Sequence, residues 1–158
     1  MKSKSFRSLF RAVCAAALVL AALPAGAGAP PGQYTIPGDG TVHDTKTGLI
    51  WQQTLGDPSG GSSWSAAAGY CSSLTLAGLS WRVPSVKELM TLVDFTVVAS
   101  GSAASIDAAA FPNTPATGFW SSSPLAGDPS NAWYVAFGSG VSSYGGGVGN
   151  TYRVRCVR

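Results

Sequence analysis

The chain has 158 residues, of which 46% are hydrophobic and only 11% are charged, and its formal net charge is +3. Four of the ten basic residues precede residue 12, so a chain without residues 1–27 keeps six basic and seven acidic side chains, a net charge of −1. This balance argues against a basic protein that binds nucleic acid through counterion release. The remaining length, about 130 residues, fits one domain with its own hydrophobic core.

Residues 1–27 predict an export signal. A start whose charged residues are all basic precedes an apolar run from Ala12 to Leu23, and small residues follow up to Ala27. This order is typical of a signal peptide, and we expect cleavage after Ala27. Because the apolar run is shorter than the roughly 20 residues of a membrane span, we expect no stable membrane insertion after cleavage. The sequence therefore predicts a secreted or periplasmic protein.

Two of the three cysteines, Cys71 and Cys156, follow this signal. In an oxidising compartment an even pair most simply forms one structural disulfide. The alternative is a free redox or metal-binding pair. A metal site needs further ligands, but the chain has one histidine, His43, and neither thiol has a second cysteine nearby. We therefore expect the disulfide, no metal and no cofactor.

The N-terminal part predicts an extended segment followed by a hairpin. Residues 28–40 are rich in Gly and Pro and predict an extended lead, so the domain is expected over residues 41–158. Thr41–Asp44 and Leu49–Gln52 predict two strands joined by a turn. His43 lies in the first of these strands, where we interpret it as a strand residue rather than a ligand.

Two helices are predicted next. Residues 64–74 carry an apolar stripe that places Cys71 on the buried face. The second helix begins at Ser85, whose side chain can accept from the N–H group three residues on, while Glu88 reaches back to this cap. We expect Arg82 to form a partly buried, structural ion pair with Glu88 that holds this helix against the sheet. The alternative is a charged pair that faces a ligand.

The C-terminal part predicts three strands in which buried and exposed side chains alternate: Phe119–Ser123, Ala132–Phe137 and Thr151–Cys156. In the last of them, Arg153 and Arg155 are expected on the face opposite Cys156. Three tryptophans fit core stripes, namely Trp51, Trp64 and Trp133. Trp81 and Trp120 stand at the edges of elements. We expect core packing for them as well, and the alternative is an exposed ring that stacks on a sugar or peptide.

Residues 126–131 and 138–150 are predicted to be mobile surface loops and to form the contact surface of the protein. The candidate ligand-binding side chains in and beside them are Asn131, Tyr134, Tyr144 and Asn150. Catalysis is not predicted, because His43 is the only histidine that could act as a base and no G-x-S-x-G motif occurs.

An ordered set of short motifs covers nearly the whole chain after the signal. They are Thr41-Val42-x-Asp44-x-x-Thr47-Gly48-Leu49-x-Trp51, Trp64-x-x-Ala67-x-x-Tyr70-Cys71, Trp81-Arg82-Val83-Pro84-Ser85-x-Lys87-Glu88-Leu89, Ile106-Asp107, Phe111-Pro112, Phe119-Trp120-Ser121-Ser122, Ala132-Trp133-Tyr134-Val135-x-Phe137 and Val154-Arg155-Cys156-Val157-Arg158. Together they resemble the C-terminal domain family of the Legionella collagen-like adhesin, a domain of unknown function.

That family is related to the C-type lectin-like fold and, more distantly, to the formylglycine-generating enzyme. The resemblance implies an α+β protein in which two helices pack on a twisted antiparallel sheet. It also implies a disulfide between the first helix and the last strand. The enzyme works through a copper-binding cysteine pair, whereas Cys71 and Cys156 are expected to be consumed by the disulfide. The calcium-binding triplets of sugar-binding C-type lectins do not occur in the sequence.

The sequence thus predicts a secreted, non-catalytic recognition or adhesion module. Its partner would be a glycan or a protein at the cell envelope or outside the cell. Two alternatives remain open: an enzyme of the formylglycine-generating group and a structural component of the envelope.

Overall fold

The computed structural model describes residues 28–56, 60–97, 103–144 and 147–158. The predicted export signal lies outside these residues. The described strands are β1 Tyr34–Thr35, β2 Thr41–Asp44, β3 Ile50–Gln52, β4 Gly118–Leu125, β5 Asp128–Ala136 and β6 Val141–Tyr144. The helices are α1 Trp64–Ser73 and α2 Val86–Met90, with a short 3₁₀ turn at Leu76–Gly78. This composition confirms the predicted α+β class, and the relation to the C-type lectin-like fold stays a prediction.

The strands form two antiparallel three-stranded sheets rather than the single sheet that was predicted, with strand orders β1-β2-β3 and β4-β5-β6. The first sheet contains the predicted hairpin, in which Val42 pairs with Trp51. Its turn is fixed by Asp44, whose carboxylate accepts hydrogen bonds from Lys46 N at 2.9 Å and from Thr47 Oγ1 at 2.8 Å. Gly48 closes the turn at φ +73°, which a residue with a side chain rarely adopts.

The second sheet lies between two hydrophobic clusters. Phe119 of β4 pairs with Val135 of β5, and both side chains belong to the cluster that contains Trp51 and Leu89. The next residue of β4, Trp120, belongs to the other cluster, which surrounds the disulfide. Because successive side chains of a strand point to opposite faces, β4 connects both halves of the core.

Cys71 of α1 and Cys156 form the predicted disulfide, with Cα atoms 5.5 Å apart and both residues fully buried. The bond spans 85 residues of sequence. On the chain-entropy model, closing such a loop stabilises the fold by about 4 to 5 kcal/mol.

Three predicted segments differ in the structure. β5 already begins at Asp128 and β6 occupies Val141–Tyr144, so parts of both predicted loops are strands. The Ser-rich β6 lies at the edge of its sheet, and most of its side chains are exposed. Its sequence therefore lacks the alternation of apolar and polar residues that would have predicted a strand. Conversely, the predicted strand at residues 151–156 makes only isolated bridges, to Ser62 and to Phe119. This segment contacts several elements in turn and pairs continuously with none of them.

Arg155 was predicted on an exposed face and is instead fully buried. Its Nη1 donates to the carbonyl oxygens of Gln52 and Gln53, both at 2.6 Å. Its Nη2 donates to Thr114 Oγ1 at 2.7 Å, and the guanidinium lies 4.7 Å from the ring centre of Phe111. The prediction was wrong because the C-terminal segment is covered on both faces, so alternation along it does not separate core from solvent.

The tryptophans follow the prediction in part. Trp51, Trp81 and Trp120 are buried, which agrees with the core packing expected for them, while Trp64 and Trp133 are only half-buried although both were assigned to core stripes. The two edge rings can be buried because their polar atoms are satisfied: Trp81 Nε1 donates to the Leu76 carbonyl and Trp120 Nε1 to that of Ser62.

Candidate functional site

The start of α2 carries the ion pair that the sequence indicated. The Ser85 side chain accepts from Glu88 N, and a Glu88 oxygen accepts from Ser85 N at 2.8 Å, which completes a capping box. Arg82 donates twice to the same carboxylate, at 2.8 and 2.6 Å. The hydrogen bonds from Arg82, together with those from Ser85, lower the pKa of Glu88 to about 2. The backbone of Arg82 pairs with Val157, so this charged joint ties α2 to the C-terminal segment.

A groove of about 460 Å³ lies beside this joint and is called here the α1 groove. It is lined by Trp64, Ser65, Ala68, Ser72, Trp81, Arg82, Val83 and Ser122. The polar atoms of both indoles point into the protein: Trp64 Nε1 donates to the Ser121 carbonyl at 2.7 Å and Trp81 Nε1 to that of Leu76. The charge of Arg82 is balanced by Glu88. The groove therefore offers mainly apolar surface and few polar groups that are not already bonded.

A second depression lies between α2 and the sheet β4-β5-β6 and is called here the Trp133 cleft. Its volume is about 400 Å³, and its lining residues are Val86, Lys87, Met90, Trp133 and Ser142. Tyr144 of β6 pairs with Trp133 across the strands, and their rings meet edge to face with centres 5.2 Å apart. The Tyr144 side chain is 55% exposed although it is large and aromatic. Within the described residues, Lys87 makes no ion pair.

This combination suits recognition of a polar ligand that has an apolar face. Exposed aromatic rings can stack on a sugar or a peptide side chain. The Ser142 hydroxyl can donate or accept a hydrogen bond, and the Lys87 ammonium can donate to an acidic group. Ordered aromatic surface at a cleft, with a few polar groups beside it, is the usual composition of a ligand site.

The four predicted binding residues are not brought together. Tyr144 borders the Trp133 cleft. Tyr134 belongs to the opposite face of the sheet, where its ring lies 4.5 Å from that of Tyr152, centre to centre. Asn150 is exposed and lies two residues before Tyr152 in the C-terminal segment. Tyr134 and Tyr152 thus form a separate aromatic pair on that face, and the ligand-binding role of the predicted residues stays a prediction.

Asn131 has a structural position. Its Nδ2 donates to Asp128 Oδ2 at 2.7 Å, and its Oδ1 accepts from Gly147 N at 3.0 Å. The neighbouring Ser130 carbonyl accepts from Val148 N. Both ends of the Asn131 amide are therefore used to hold the segment after β6 against β5.

Sequence reasoning missed Lys87, Met90 and Ser142 and assigned Trp133 to the core. The signal that could have identified the cleft is the pairing of β5 with β6, which places Tyr144 beside Trp133. That pairing was not visible because Val141–Tyr144 was interpreted as part of a loop.

The comparisons with known proteins agree with the motif pattern. The model of a protein family, described as the Lcl C-terminal domain, matches residues 40–158. No curated protein gives a significant match. Within the part of the chain that the structure describes, no helix is both long and apolar enough to cross a membrane.

Proposed function

The chain belongs to the Lcl C-terminal domain family, an adhesin-associated domain, and from this premise we propose that it is a secreted, non-catalytic module that binds a glycan or protein ligand. The observation that carries the proposal is the Trp133 cleft with the exposed ring of Tyr144 at its border. The feature that favours binding is that two aromatic rings adjoin each other at a cleft, because contiguous apolar surface marks a binding site and a single exposed ring does not.

The non-catalytic part of the proposal is supported by the disulfide. Both cysteines that follow the predicted signal are joined to each other and fully buried. Neither is available as a thiolate nucleophile or metal ligand. This arrangement argues against the alternative of an enzyme that works through a cysteine pair.

We favour the Trp133 cleft over the larger α1 groove because the side-chain polar groups of the cleft have no hydrogen-bond or ion-pair partner among the described residues. In the α1 groove, both indole N–H groups donate to backbone carbonyls and Arg82 is paired with Glu88. In the Trp133 cleft, Lys87 and Ser142 stand beside the aromatic rings without such partners among the described residues.

The test is a binding screen with matched aromatic variants. The chain from residue 28 to 158 is screened on a glycan array and against purified envelope proteins, and the affinity of each hit is measured by calorimetry. Tyr144→Ala and Trp133→Ala are expected to weaken binding about 2- to 10-fold, because an aromatic contact contributes about 0.5 to 1.5 kcal/mol. Tyr144→Phe keeps the ring and should retain most of the affinity.

The control is Phe95→Ala. Phe95 is 72% exposed. Among the described residues it neither lines the cleft nor, unlike Tyr144, makes a ring contact with Trp133, so its removal should leave binding unchanged. The absence of any ligand at high protein concentration, or equal losses in the Tyr144 and Phe95 variants, would contradict the proposal. In the first case a structural role in the envelope becomes the better explanation.

A further inference from the structure

The carboxylates of Asp94 and Asp107 lie close to Gly28 and Ala29, and neither has a cationic partner among the described residues. Asp107 Oδ1 accepts from Ala109 N and Ala110 N, both at 2.9 Å. Asp94 Oδ1 accepts from the backbone N and from Oγ1 of Thr96, at 2.8 and 2.6 Å. Asp94 Oδ2 is buried and has no hydrogen-bond partner within the described part of the chain. No ion pair between described residues involves either side chain.

The backbone N–H groups of Gly28 and Ala29 donate hydrogen bonds to side chains of the loops that carry Asp94 and Asp107. Gly28 N donates to Thr96 Oγ1 at 3.2 Å, and Ala29 N donates to Asp107 Oδ2 at 3.1 Å. A methyl group placed on Gly28 would lie 3.6 Å from the same Asp107 oxygen. The Asp94 and Asp107 loops are themselves joined through Ser105, whose carbonyl accepts from Asp94 N at 3.0 Å. The backbone nitrogens of Gly28 and Ala29 therefore each reach one of the two carboxylates. Gly28 N bonds the Thr96 hydroxyl that donates to Asp94, and Ala29 N bonds Asp107 directly.

The surroundings are negative. Burial raises the pKa of the Tyr34 hydroxyl, and three carboxylates raise it further: Asp44, Asp107 and Asp94. Buried Arg155 also interacts electrostatically with Tyr34, but its described hydrogen bonds go to Gln52, Gln53 and Thr114 and not to a carboxylate. A cation placed at Gly28 N would thus meet uncompensated negative charge.

We propose that cleavage after Ala27 creates this cation, and that the new α-ammonium group of Gly28 docks between Asp94 and Asp107 as an internal ion pair. The inference rests on the predicted cleavage site and not on the proposed ligand. Hydrolysis consumes one water, leaves a carboxylate on Ala27 and converts the Gly28 amide into an ammonium group with three donors. Where the uncleaved chain has one N–H at this position, the processed chain has a positive charge.

Docking ties the start of the mature chain to two loops of the core. It makes the processed protein more stable than a chain that keeps even one residue of the signal. The gain is fully present below the ordinary pKa of an α-amino group, which is about 7.7 to 8.0, because pairing raises this pKa in the folded state. The gain is lost as the pH rises through the raised value.

The test compares two chains without any mutation. One begins at Gly28, the other keeps Ala27, which moves the α-amino group by about one Cα–Cα step of 3.8 Å. In the first, NMR titration should give an α-amino pKa at least about 0.5 to 1 unit above its ordinary range, and in the second an ordinary one. At pH 6.5 the first chain should melt about 2 to 5 °C higher, and the difference should disappear above pH 10.

Asp107→Asn, made in the chain that begins at Gly28, should lower the α-amino pKa back towards its ordinary range. Asp39→Asn changes an exposed carboxylate on the lead and should leave that pKa raised. Asp107→Asn could fail to fold, because Asp107 also accepts from Ala109 N and Ala110 N. In that case the α-amino pKa of the chain that keeps Ala27, compared with that of the chain that begins at Gly28, still tests the proposal. An ordinary pKa in the chain that begins at Gly28 overturns the proposal, as does a secreted protein whose measured mass begins at another residue.

Discussion

Arg82 and Arg155 show how differently one residue type is used in two regions of this fold. Arg82 lies just before α2. Its side chain is 52% exposed and forms a bidentate ion pair with Glu88. Arg155 is fully buried and bonds two backbone carbonyls, one hydroxyl and the face of Phe111. The exposed arginine has a carboxylate, whereas the buried one has neutral partners.

The difference follows from what each region must satisfy. At α2 the capping box already meets the backbone groups of the first turn, and Arg82 adds charge to a joint that would form without it. At Arg155 the backbone oxygen of Gln52 is in a buried bond and that of Gln53 in a partly buried one, and a buried carbonyl without a partner is costly. The guanidinium supplies a donor to both oxygens. Burial lowers its pKa to about 9, so the side chain is still charged at neutral pH.

The largest effect is expected for Arg155→Met, which keeps a long apolar stem but removes all donors. The Gln52 and Gln53 carbonyls lose their bonds, and each costs about 1 to 3 kcal/mol when buried without a partner. Relief of the buried charge offsets part of this, so we expect a loss of about 2 to 5 kcal/mol in the free energy of unfolding, measured in urea.

The control for that variant is Arg158→Met, because the Arg158 side chain is exposed and should change stability by less than about 0.5 kcal/mol. An Arg155→Met protein as stable as the wild type would show that the carbonyls find other partners and that the buried guanidinium is dispensable.

A smaller effect is expected for Glu88→Gln, which keeps the reach of the capping box but removes the charge. At pH 7 the loss should be about 1 kcal/mol, since one partner of a part-exposed pair becomes neutral. The folded-state pKa of Glu88 lies at about 2, below its usual 4.5. Its contribution is therefore present above pH 4.5 and is lost as the pH falls towards 2.

Urea unfolding between pH 6 and pH 2 checks this dependence. The difference between wild type and Glu88→Gln should shrink steadily below pH 4.5. A difference that stays constant down to pH 2 would mean that the carboxylate of Glu88 is not stabilised by its charge.

The same two regions explain how far the sequence could predict the fold. The α2 joint was predictable because its determinants are local: Ser85, Glu88 and Arg82 lie within seven residues and follow known capping chemistry. The disulfide was predictable because few cysteines leave few choices. Arg155 was not, because its partners lie 41 to 103 residues away. Arg155 is buried where the C-terminal segment meets the end of β3 and the loop that carries Phe111 and Thr114, and local alternation of side chains does not encode this contact.

The candidate site was difficult for a related reason. Aromatic residues such as Trp133 and Tyr144 could be identified, but which of them share a face depends on the register of β5 and β6. Val141–Tyr144 has two serines and a following run of glycines, so its pattern resembles a loop. Only the pairing along β5 shows that Tyr144 borders the cleft and that Tyr134 belongs to the other face.

The smallest effect is expected for Arg82→Met. Glu88 keeps both of its bonds from Ser85, at 2.8 and 3.0 Å, and the backbone pairing of residue 82 with Val157 does not need the side chain. An exposed pair contributes about 0 to 1 kcal/mol, so urea unfolding should show a loss below about 1 kcal/mol that shrinks further in 0.5 M salt. The loss in Arg155→Met should not respond to salt, because buried partners are screened little. Equal losses and equal salt responses in the two variants would contradict the contrast, since both arginines would then act through the same solvent-exposed electrostatics.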